Sequence, residues 1–276
     1  MKRFFVLGHP IAHPYSPVMH EASFRAIGFE GTYGRLDVPP EQLGSELNRL
    51  RDSGCAGVNL TIPLEETAVP LMRELSPEAE RFGAVNTVVF GSEGMTGCNT
   101  DADGFLTALR EGLGRTALVG LKIAVIGCGG AGRTAAAVCR GAGAEVALYN
   151  RSEERLLKLA DELGIGGKHS GSDDWTRSLP SADVVVNAAA VGIRKDDAVP
   201  VTAGMFRPGQ FVFDMVIAPR SMSTPVLEVA RAGGADGVNR IGMLVHQGAR
   251  AFQIWTGLTA DAGAMRRAVE QAILGN

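Results

Sequence analysis

The stretch Val125-Ile126-Gly127-Cys128-Gly129-Gly130-Ala131-Gly132 lies midway along a chain of 276 residues and decides its fold. Residues 122–126, which lead into it, are apolar and predict a buried parallel strand. Residues 131–140, which follow it, are mostly small and predict a helix. The glycines between them fit G-x-G-x-x-G in the strand–turn–helix context of a dinucleotide-binding site. A glycine turn with a purely structural role is the alternative.

This glycine-rich turn also predicts how a nucleotide would bind. Residues with no side chain, or a short one, let the backbone approach a pyrophosphate closely. The first turn of the following helix adds free N–H groups and the positive end of the helix dipole. The predicted cofactor contacts are Gly127, Gly129, Gly130, Ala131 and Gly132.

The end of the next predicted strand indicates which nucleotide binds. Residues 145–149 lead to Asn150, Arg151 and Ser152, about twenty residues beyond the turn, where an NAD site has an acid for the ribose 2′-hydroxyl. This chain has no acid there, and Arg151 and Arg155 offer cations to a 2′-phosphate. The sequence therefore predicts NADP(H), with two solvated arginines on an exposed helix as the alternative.

Composition and charge narrow the class of protein. Hydrophobic residues make up 45% of the chain and glycine contributes 36 residues, which suits an α/β protein with tight strand-to-helix turns. The formal net charge of −3 gives no electrostatic basis for binding nucleic acid or an anionic membrane. The four cysteines lack metal-ligand spacing and suit a reducing compartment, so we expect no metal site. No apolar run is long enough for a signal peptide or a membrane span, and we expect a soluble, cytoplasmic protein.

The pattern of predicted elements divides the chain into two domains. We expect an α/β fold with an N-terminal substrate-binding domain (1–102 and 241–276), a Rossmann-type NADP-binding domain (103–240) and a cleft between them. The predicted strands are 4–7, 32–36, 58–61, 84–90, 122–126, 145–149, 183–187 and 210–214, and the predicted helices are 17–26, 40–51, 65–71, 103–113, 131–140, 242–255 and 261–274.

About seven short motifs, spread in order over essentially the whole chain, are similar to those of the shikimate dehydrogenase family. Apart from the glycine-rich turn and Asn150-Arg151-Ser152, they are Gly8-His9-Pro10-Ile11-Ala12-His13-Pro14-Tyr15-Ser16-Pro17, Gly57-Val58-Asn59-Leu60-Thr61-Ile62-Pro63, Gly83-Ala84-Val85-Asn86-Thr87, Asn99-Thr100-Asp101-Ala102-Asp103-Gly104-Phe105, Asp214-Met215-Val216 and Met243-Leu244-Val245-His246-Gln247-Gly248.

The resemblance implies an activity, a cofactor and a set of site residues. Members of this family reduce 3-dehydroshikimate to shikimate with NADPH in aromatic amino acid biosynthesis, and some act on quinate. By resemblance, Ser16 donates a hydrogen bond to the substrate carboxylate, and Met215 belongs to the cofactor site. The ring hydroxyls are bound by Asn59, Thr61, Asn86, Asp101 and Gln247. We expect a monomer or a homodimer that binds a small-molecule substrate, with no nucleic-acid or membrane partner.

Some of these residues have simpler explanations. Ser16 fits a helix N-cap that precedes Pro17 at the first helical position. The simpler explanation of Asp101 is an acidic residue in an ordinary turn. Each of the other polar residues, taken alone, is explained by a place at a strand end or in a turn. Their joint match to the motifs favours a substrate site.

The largest departure from the family pattern is Glu65. In the family a lysine occupies this position, two residues after the proline of Thr-x-Pro, and moves the hydroxyl proton together with the aspartate that matches Asp101. A lysine can donate to the carbonyl oxygen as negative charge develops, whereas an ionised glutamate opposes that charge. We therefore expect weak turnover, with Asp101 and Glu65 at the catalytic positions. Lys195 either replaces the missing lysine or is a solvated loop residue.

Other departures also fall in the predicted pocket. They are Pro14 instead of serine, Glu21 instead of asparagine, Asn187-Ala188-Ala189-Ala190 instead of Asn-Ala-Thr, Ile217 instead of tyrosine and Arg240 instead of glycine. The alternative function is therefore a pocket repurposed, by divergence or by engineering, as a binding protein or as a non-redox proton-transfer catalyst that uses Glu65.

Two arrangements of a repurposed pocket are open. If Glu65 faces Asp101, one carboxyl pKa rises and that group becomes a general acid or base, with Tyr15 or His13 as a further donor. If Arg240 instead forms a salt bridge to Glu65, or to the acid at position 21, the cleft is filled and inert.

Overall fold

The structure, a computed structural model, describes residues 1–11, 14–169, 178–189 and 199–275, with only the backbone described at 167–169. Contacts divide the chain into two compact units. Unit 1 comprises Met1–Gly104 and Leu244–Ala272, and unit 2 comprises Phe105–Met243 and Ile273–Asn276. The predicted domain limits, 1–102 with 241–276 and 103–240, stay a prediction.

Unit 1 is built around a six-stranded mixed sheet. Its elements are β1 (Lys2–Gly8), α1 (Ser16–Ile27), β2 (Gly31–Asp37), α2 (Leu43–Asp52), β3 (Gly57–Leu60), α3 (Leu64–Thr67), β4 (Glu74–Leu75), α4 (Pro77–Phe82), β5 (Thr87–Gly91) and β6 (Gly94–Cys98). The strand order is β2-β1-β3-β5-β6-β4. β1 pairs in parallel with β2 and β3, whereas β5 pairs antiparallel with β3 and β6.

Unit 2 contains a second six-stranded sheet, in which every described pairing is parallel. Three helices, α5 (Asp101–Leu113), α9 (Ile241–Thr256) and α10 (Ala262–Gly275), cross the limits of the two units. The other elements are β7 (Lys122–Ile126), α6 (Gly130–Gly141), β8 (Glu145–Asn150), α7 (Glu153–Leu163), β9 (Gly167–His169), β10 (Val184–Asn187), β11 (Phe211–Asp214), α8 (Pro225–Ala232) and β12 (Asp236–Val238).

The strand order of unit 2, β12-β11-β10-β7-β8-β9, is that of a doubly wound nucleotide-binding sheet. β7 lies at the centre, so the chain reverses direction across the sheet beside the strand that carries the glycine-rich turn. The predicted α/β fold class, with a Rossmann-type domain, is confirmed. In the part of the chain that the structure describes, no helix is both long enough and apolar enough to cross a membrane.

The two faces of the first sheet bury different cores, as the alternation of side chains along a strand requires. Phe4 and Val6 of β1 pack on one face, and Phe5 and Leu7 pack on the other. The second face is covered by aliphatic residues of α2, including Leu47. Unit 1 therefore has an aromatic core and an aliphatic core on opposite sides of one sheet.

The aromatic cluster of unit 1, formed by Phe4, Phe24, Phe29, Phe252 and Trp255, joins α1 and α9 to the sheet. The ring centroids of Phe4 and Trp255 are 5.0 Å apart, and those of Phe24 and Phe252 are 5.4 Å apart. The Trp255 indole N–H also donates to a carbonyl oxygen of β5 at 3.0 Å. These contacts make a C-terminal helix part of the N-terminal core.

Most predicted elements are confirmed within a few residues, but two predictions were partly wrong. The predicted helix 65–71 divides into α3 and a 3₁₀ turn at Val69–Leu71, because Pro70 has no N–H to continue the helical ladder. The predicted strand 84–90 begins only at Thr87. The sequence analysis did not predict the short elements β4, α4, β6, β9, α8 and β12.

Candidate functional site

Several predicted substrate contacts of unit 1 belong to one connected set of hydrogen-bonded side chains, which we call the polar network. Its members are Ser16, Tyr33, Asn59, Asn86, Thr87, Thr100 and Gln247. Ser16 is half-buried and all the others are buried. Because buried polar side chains need partners, the network fixes the orientation of each member.

Asn59, on β3, has its amide orientation set by three hydrogen bonds. Its Nδ2 donates to the Asn86 backbone oxygen at 3.0 Å and to Thr87 Oγ1 at 3.0 Å. Its Oδ1 accepts from the Tyr33 hydroxyl at 2.7 Å. Both N–H groups are used within the protein, so Asn59 meets a ligand hydroxyl as an acceptor.

Asn86 lies at the centre of the network. Its Oδ1 accepts from Thr87 Oγ1 at 3.0 Å, from the Thr100 backbone N–H at 2.9 Å and from Thr100 Oγ1 at 3.2 Å. Thr100 Oγ1 also lies 3.4 Å from Gln247 Oε1 on α9. The network therefore connects Asn59, Asn86 and Gln247, which are far apart in the sequence.

Three more predicted site residues lie on backbone that adjoins the network. The Thr61 N–H donates to a β1 carbonyl oxygen at 2.9 Å, and the Glu65 carbonyl oxygen accepts from the Val85 N–H at 2.9 Å. Asp101 is the first residue of α5, and its N–H donates to Asn99 Oδ1 at 3.0 Å. The side chains of Thr61, Glu65 and Asp101 are half-buried. A facing pair of carboxylates at Glu65 and Asp101 stays a prediction.

The N-cap role considered for Ser16 is wrong. The cap position of α1 is Tyr15, whose side chain makes no capping hydrogen bond, and Ser16 is already helical. The Ser16 hydroxyl instead hydrogen-bonds the Tyr33 hydroxyl. Ser16 thus belongs to the polar network and is not needed to satisfy the helix end.

Sequence reasoning missed Tyr33 and His20. Their rings are stacked, with centroids 4.3 Å apart and an interplanar angle of 2°. Burial lowers the pKa of His20 to about 3, so its ring is neutral at physiological pH. Among the described residues, neither ring nitrogen of His20 has a hydrogen-bond partner. An aromatic residue in a strand and a histidine in a helix look like ordinary core residues, so the sequence held no signal for this pair.

In unit 2, the glycine-rich turn contains two glycines that packing requires and two that it does not. Gly127 has a φ of +102°, and a Cβ there would lie 2.9 Å from the Ala188 carbonyl carbon. A Cβ on Gly132 would lie 1.9 Å from the Gly127 carbonyl oxygen. A Cβ on Gly129 or Gly130 meets nothing within 4 Å. The turn therefore leaves open space at Gly129, where the backbone of a dinucleotide site approaches the pyrophosphate.

The carboxyl end of β8 carries the predicted 2′-phosphate contacts. Asn150 Oδ1 accepts from the Cys128 N–H at 3.3 Å, which ties this strand end to the glycine-rich turn. Ser152 caps α7, because its hydroxyl accepts from the Arg155 N–H. The side chains of Arg151 and Arg155 are exposed, and two cations beside the turn fit a phosphate-bearing ribose.

Other predicted positions are only partly described. His13, Ala190 and Lys195 lie outside the described residues. Arg240 is exposed, and its pairing with an acid stays a prediction. Across the described ranges, no group of three or more His, Cys, Asp or Glu side chains is arranged to hold a metal ion.

Asp214, at the end of β11, is a fully buried carboxyl group. It accepts hydrogen bonds from the Thr224 hydroxyl, from Asn187 Nδ2 at 2.7 Å and from the Val216 N–H. Burial raises the pKa of Asp214 to about 6, although these three donors act in the opposite direction. Met215, a predicted cofactor contact, follows it and is buried.

This raised pKa makes stability depend on pH. Because the pKa of Asp214 is higher in the folded state than its ordinary value of 3.8, the folded state binds the proton more tightly. The contribution of Asp214 to the free energy of unfolding is complete below about pH 4. It is lost as the pH rises through about 6, a change of roughly 3 kcal/mol. We expect Asp214→Asn to remove this part of the pH dependence, measured by urea unfolding from about pH 4 to about pH 7.

Asp161→Asn, an exposed acid on α7, is the matched control and should keep the parent profile. An Asp214→Asn profile that parallels the parent over this range would show that Asp214 has no raised pKa.

Comparison with known proteins finds relatives whose similarity extends over nearly the whole chain. Residues 6–88 match the substrate-binding domain of shikimate dehydrogenase, and residues 241–270 match the C-terminal domain of shikimate 5′-dehydrogenase. Residues 112–215 match the C-terminal domain of the alanine dehydrogenase/PNT family. A shikimate dehydrogenase (NADP⁺) of Thermus thermophilus is 41% identical over 278 residues, with 99% of each chain covered.

Two solved structures are similar over nearly the full length. Shikimate 5-dehydrogenase of T. thermophilus in complex with NADP(H) and shikimate has a TM-score of 0.88 at 40% identity, with 99% of this chain and 100% of that chain covered. Quinate dehydrogenase of Corynebacterium glutamicum in complex with NAD has a TM-score of 0.87 at 28% identity, with 98% of this chain and 99% of that chain covered.

Proposed function

Since the chain belongs to the shikimate dehydrogenase family, we propose that it is an NADP(H)-dependent oxidoreductase that interconverts 3-dehydroshikimate and shikimate, or a related polyol acid. The names of its full-length relatives support this reaction and this cofactor. We infer that its native turnover is weak, because Glu65 occupies the position of the family's lysine.

The polar network is the observation that carries the proposed substrate. A polyol acid presents several hydroxyl groups and one carboxylate, and the network offers matched groups on a single unit. The Asn59 and Asn86 amides and the Gln247 side chain serve the hydroxyls, and the Ser16 hydroxyl serves the carboxylate. These side chains already hold one another in place, so little of their conformational entropy is lost when the substrate binds.

The glycine-rich turn and β8 fit the proposed cofactor. The N–H groups at the start of α6 and the open space at Gly129 would hold the pyrophosphate, and Arg151 and Arg155 would hold the 2′-phosphate. When bound, NADP(H) supplies the hydride chemistry. The residues of the turn bind and orient the cofactor and take no part in proton transfer.

We assign proton transfer at the reacting hydroxyl to Asp101, with Glu65 at the position of the family's lysine. As an ionised carboxylate, Asp101 can accept the proton as shikimate is oxidised. Glu65, when ionised, has no proton to donate to the carbonyl oxygen in the reverse direction and disfavours negative charge there. These roles predict a slow enzyme with intact binding of both ligands.

The test is the formation of NADPH from shikimate and NADP⁺ at high enzyme concentration, compared between the parent and Asp101→Asn. Slow, saturable turnover that falls in Asp101→Asn supports the proposal. Calorimetry on the parent measures its affinities for shikimate and for NADP⁺ independently of the rate of NADPH formation. If the parent binds no shikimate, the repurposed pocket that Glu65 suggests becomes the better description.

Cofactor preference gives a separate prediction. We expect Arg151→Ala to raise KM for NADP⁺ by about tenfold to a hundredfold, because it removes a charge-assisted contact to the 2′-phosphate. KM for NAD⁺ should stay unchanged, since NAD⁺ lacks that phosphate. Lys158→Ala, which removes an exposed cation on α7, the helix that follows Arg151, is the matched control. If Arg151→Ala raises KM equally for NADP⁺ and NAD⁺, Arg151 is not a contact to the 2′-phosphate.

A further inference from the structure

Asp214 lies in a row of residues at the carboxyl edge of the unit 2 sheet. In the parallel register, Asp214 is opposite Asn187, and Asn187 is opposite Ile126. Gly127, the first glycine of the glycine-rich turn, follows Ile126 directly. Asp214 is therefore two strands away from the turn, which is about 10 Å along the sheet at the usual spacing between strands.

The proposed cofactor contacts determine which half of the cofactor would lie near this row. In the proposed function, Arg151 at the end of β8 holds the 2′-phosphate, and the turn after β7 holds the pyrophosphate. A dinucleotide extends across the carboxyl edge of a doubly wound sheet, with one half on each side of the central strand. Since β8 lies on one side of β7, whereas β10 and β11 lie on the other, the nicotinamide half would lie over β10 and β11.

The Asp214 carboxyl group is held in place within the protein. Asn187 Nδ2 donates to it at 2.7 Å, and the Thr224 hydroxyl and the Val216 N–H also donate to it. Asp214, Asn187 and Thr224 are all fully buried. A fully buried carboxyl group touches no ligand. Its effect on a cofactor is therefore exerted through its charge, or through the backbone of Met215, which follows it.

No nearby cation offsets the charge of Asp214 within the described residues. Asn187, its neighbour on β10, is uncharged, and no charged residue is among the groups that shift the pKa of Asp214. The charged residues on α8, on β12 and in the segments that adjoin them are exposed: Arg220, Glu228, Arg231, Asp236 and Arg240. Burial raises the pKa of Asp214 to about 6, so the group is an uncompensated anion above about pH 7.

We propose that Asp214 sets the preference between the two redox states of the cofactor, because its buried carboxylate stabilises the positively charged nicotinamide ring of NADP⁺ over the uncharged ring of NADPH. This inference rests on the proposed function, which concerns the identity of the cofactor. It adds which redox state binds more tightly. Asp214 thereby favours the form that is left when 3-dehydroshikimate is reduced.

The ratio of two dissociation constants tests this effect of charge. The Kd values of NADP⁺ and of NADPH are measured by calorimetry at about pH 8, without substrate, for the full-length parent and for Asp214→Asn. We expect the Kd of NADP⁺ to rise by about tenfold, the attraction of unit charges about 10 Å apart at an effective dielectric constant of about 20. The Kd of NADPH should change by less than about twofold, because its ring is uncharged.

Two control variants separate charge from structure. Thr224→Val removes a hydrogen bond to the same carboxylate but keeps the charge, so the ratio of the two Kd values should equal that of the parent. Asp183→Asn makes the same substitution at the opposite edge of the same sheet, where Asp183 accepts from the Lys122 N–H at 2.9 Å. It should also leave the ratio unchanged.

A second measurement uses the parent alone and does not depend on the folding of Asp214→Asn. At about pH 6, Asp214 is half protonated. A tenfold preference for NADP⁺ lowers its pKa by about one unit in that complex, so NADP⁺ should release about 0.4 proton more on binding than NADPH. Calorimetry in two buffers of different ionisation enthalpy measures this difference. Protons from the 2′-phosphate cancel, because both cofactor forms carry that group.

Each outcome decides the proposal. If Asp214→Asn weakens the binding of both cofactor forms equally, Asp214 has only a structural role, and the inference is overturned while the proposed function stands. Equal proton release by NADP⁺ and NADPH in the parent overturns it as well. A parent chain that binds neither form removes this inference together with the proposed cofactor.

Discussion

Glu65→Lys is expected to raise the rate of shikimate oxidation by about 10²–10⁴, the usual contribution of one acid–base group. In the proposed mechanism, an ionised Glu65 disfavours negative charge on the reacting oxygen of the parent. The lysine reverses the charge and adds a donor for that oxygen. The measurement is kcat for NADPH formation, with the shikimate Kd followed in parallel. The increase should appear in kcat, because the polar network and the cofactor site are unaltered.

Two controls isolate the role of position 65. Glu66→Lys makes the same charge change at the exposed neighbour in α3 and should alter the rate by no more than about twofold. Glu65→Gln removes the charge without supplying an acid and should recover only part of the rate. If Glu65→Lys binds both ligands but turns over no faster than the parent, the weak turnover is caused by the other altered positions, Pro14, Ile217 and Arg240.

Gly132→Ala is expected to destabilise unit 2 by about 3 kcal/mol, the upper end of the usual cost of overpacking, and to abolish NADP⁺ binding. A methyl group there would lie 1.9 Å from the Gly127 carbonyl oxygen and 2.8 Å from its carbonyl carbon. Both contacts are to backbone, so no side chain can rotate to relieve them. The chain must move α6 away from β7, which opens the turn. Urea unfolding and calorimetric titration with NADP⁺ measure the two effects.

Neighbouring glycines provide the matched controls. Gly130→Ala meets nothing within 4 Å and should be neutral or stabilise the protein by up to about 1 kcal/mol. Gly129→Ala should leave the stability unchanged, because its φ of −85° and ψ of −172° suit alanine. It should nevertheless weaken NADP⁺ binding, since the methyl group occupies the space proposed for the pyrophosphate. A Gly132→Ala protein as stable as Gly130→Ala would contradict the packing argument.

The features predicted correctly from the sequence are those encoded locally. The glycine-rich turn between an apolar strand and a helix predicted the Rossmann-type sheet, because each part of that motif has a distinct local composition. Short elements such as β4 (Glu74–Leu75) carry too few residues to show a period, and their position depends on pairing with β6.

The site was predicted as a set of residues but not as a network. Asn59 and Asn86 were found because they lie in motifs at strand ends. Tyr33 and His20 were not found, because their importance comes from partners that the fold brings to them. The raised pKa of Asp214 likewise depends on burial, which no local pattern reports. Ser16 was assigned a wrong local alternative, since its partner Tyr33 is on β2, an element distant in the sequence.

The aromatic cluster has a consequence for the order in which the protein matures on the ribosome. Phe4 and Phe24 are synthesised well before their partners Trp255 and Phe252, which lie more than 200 residues further along the chain. Unit 2, by contrast, has all its strands before position 240. At about 5–20 residues per second, the N-terminal segment waits on the order of ten seconds or more with its aromatic face uncovered. During each round of translation, the unit whose synthesis begins first is therefore completed only after the strands of unit 2 have been made.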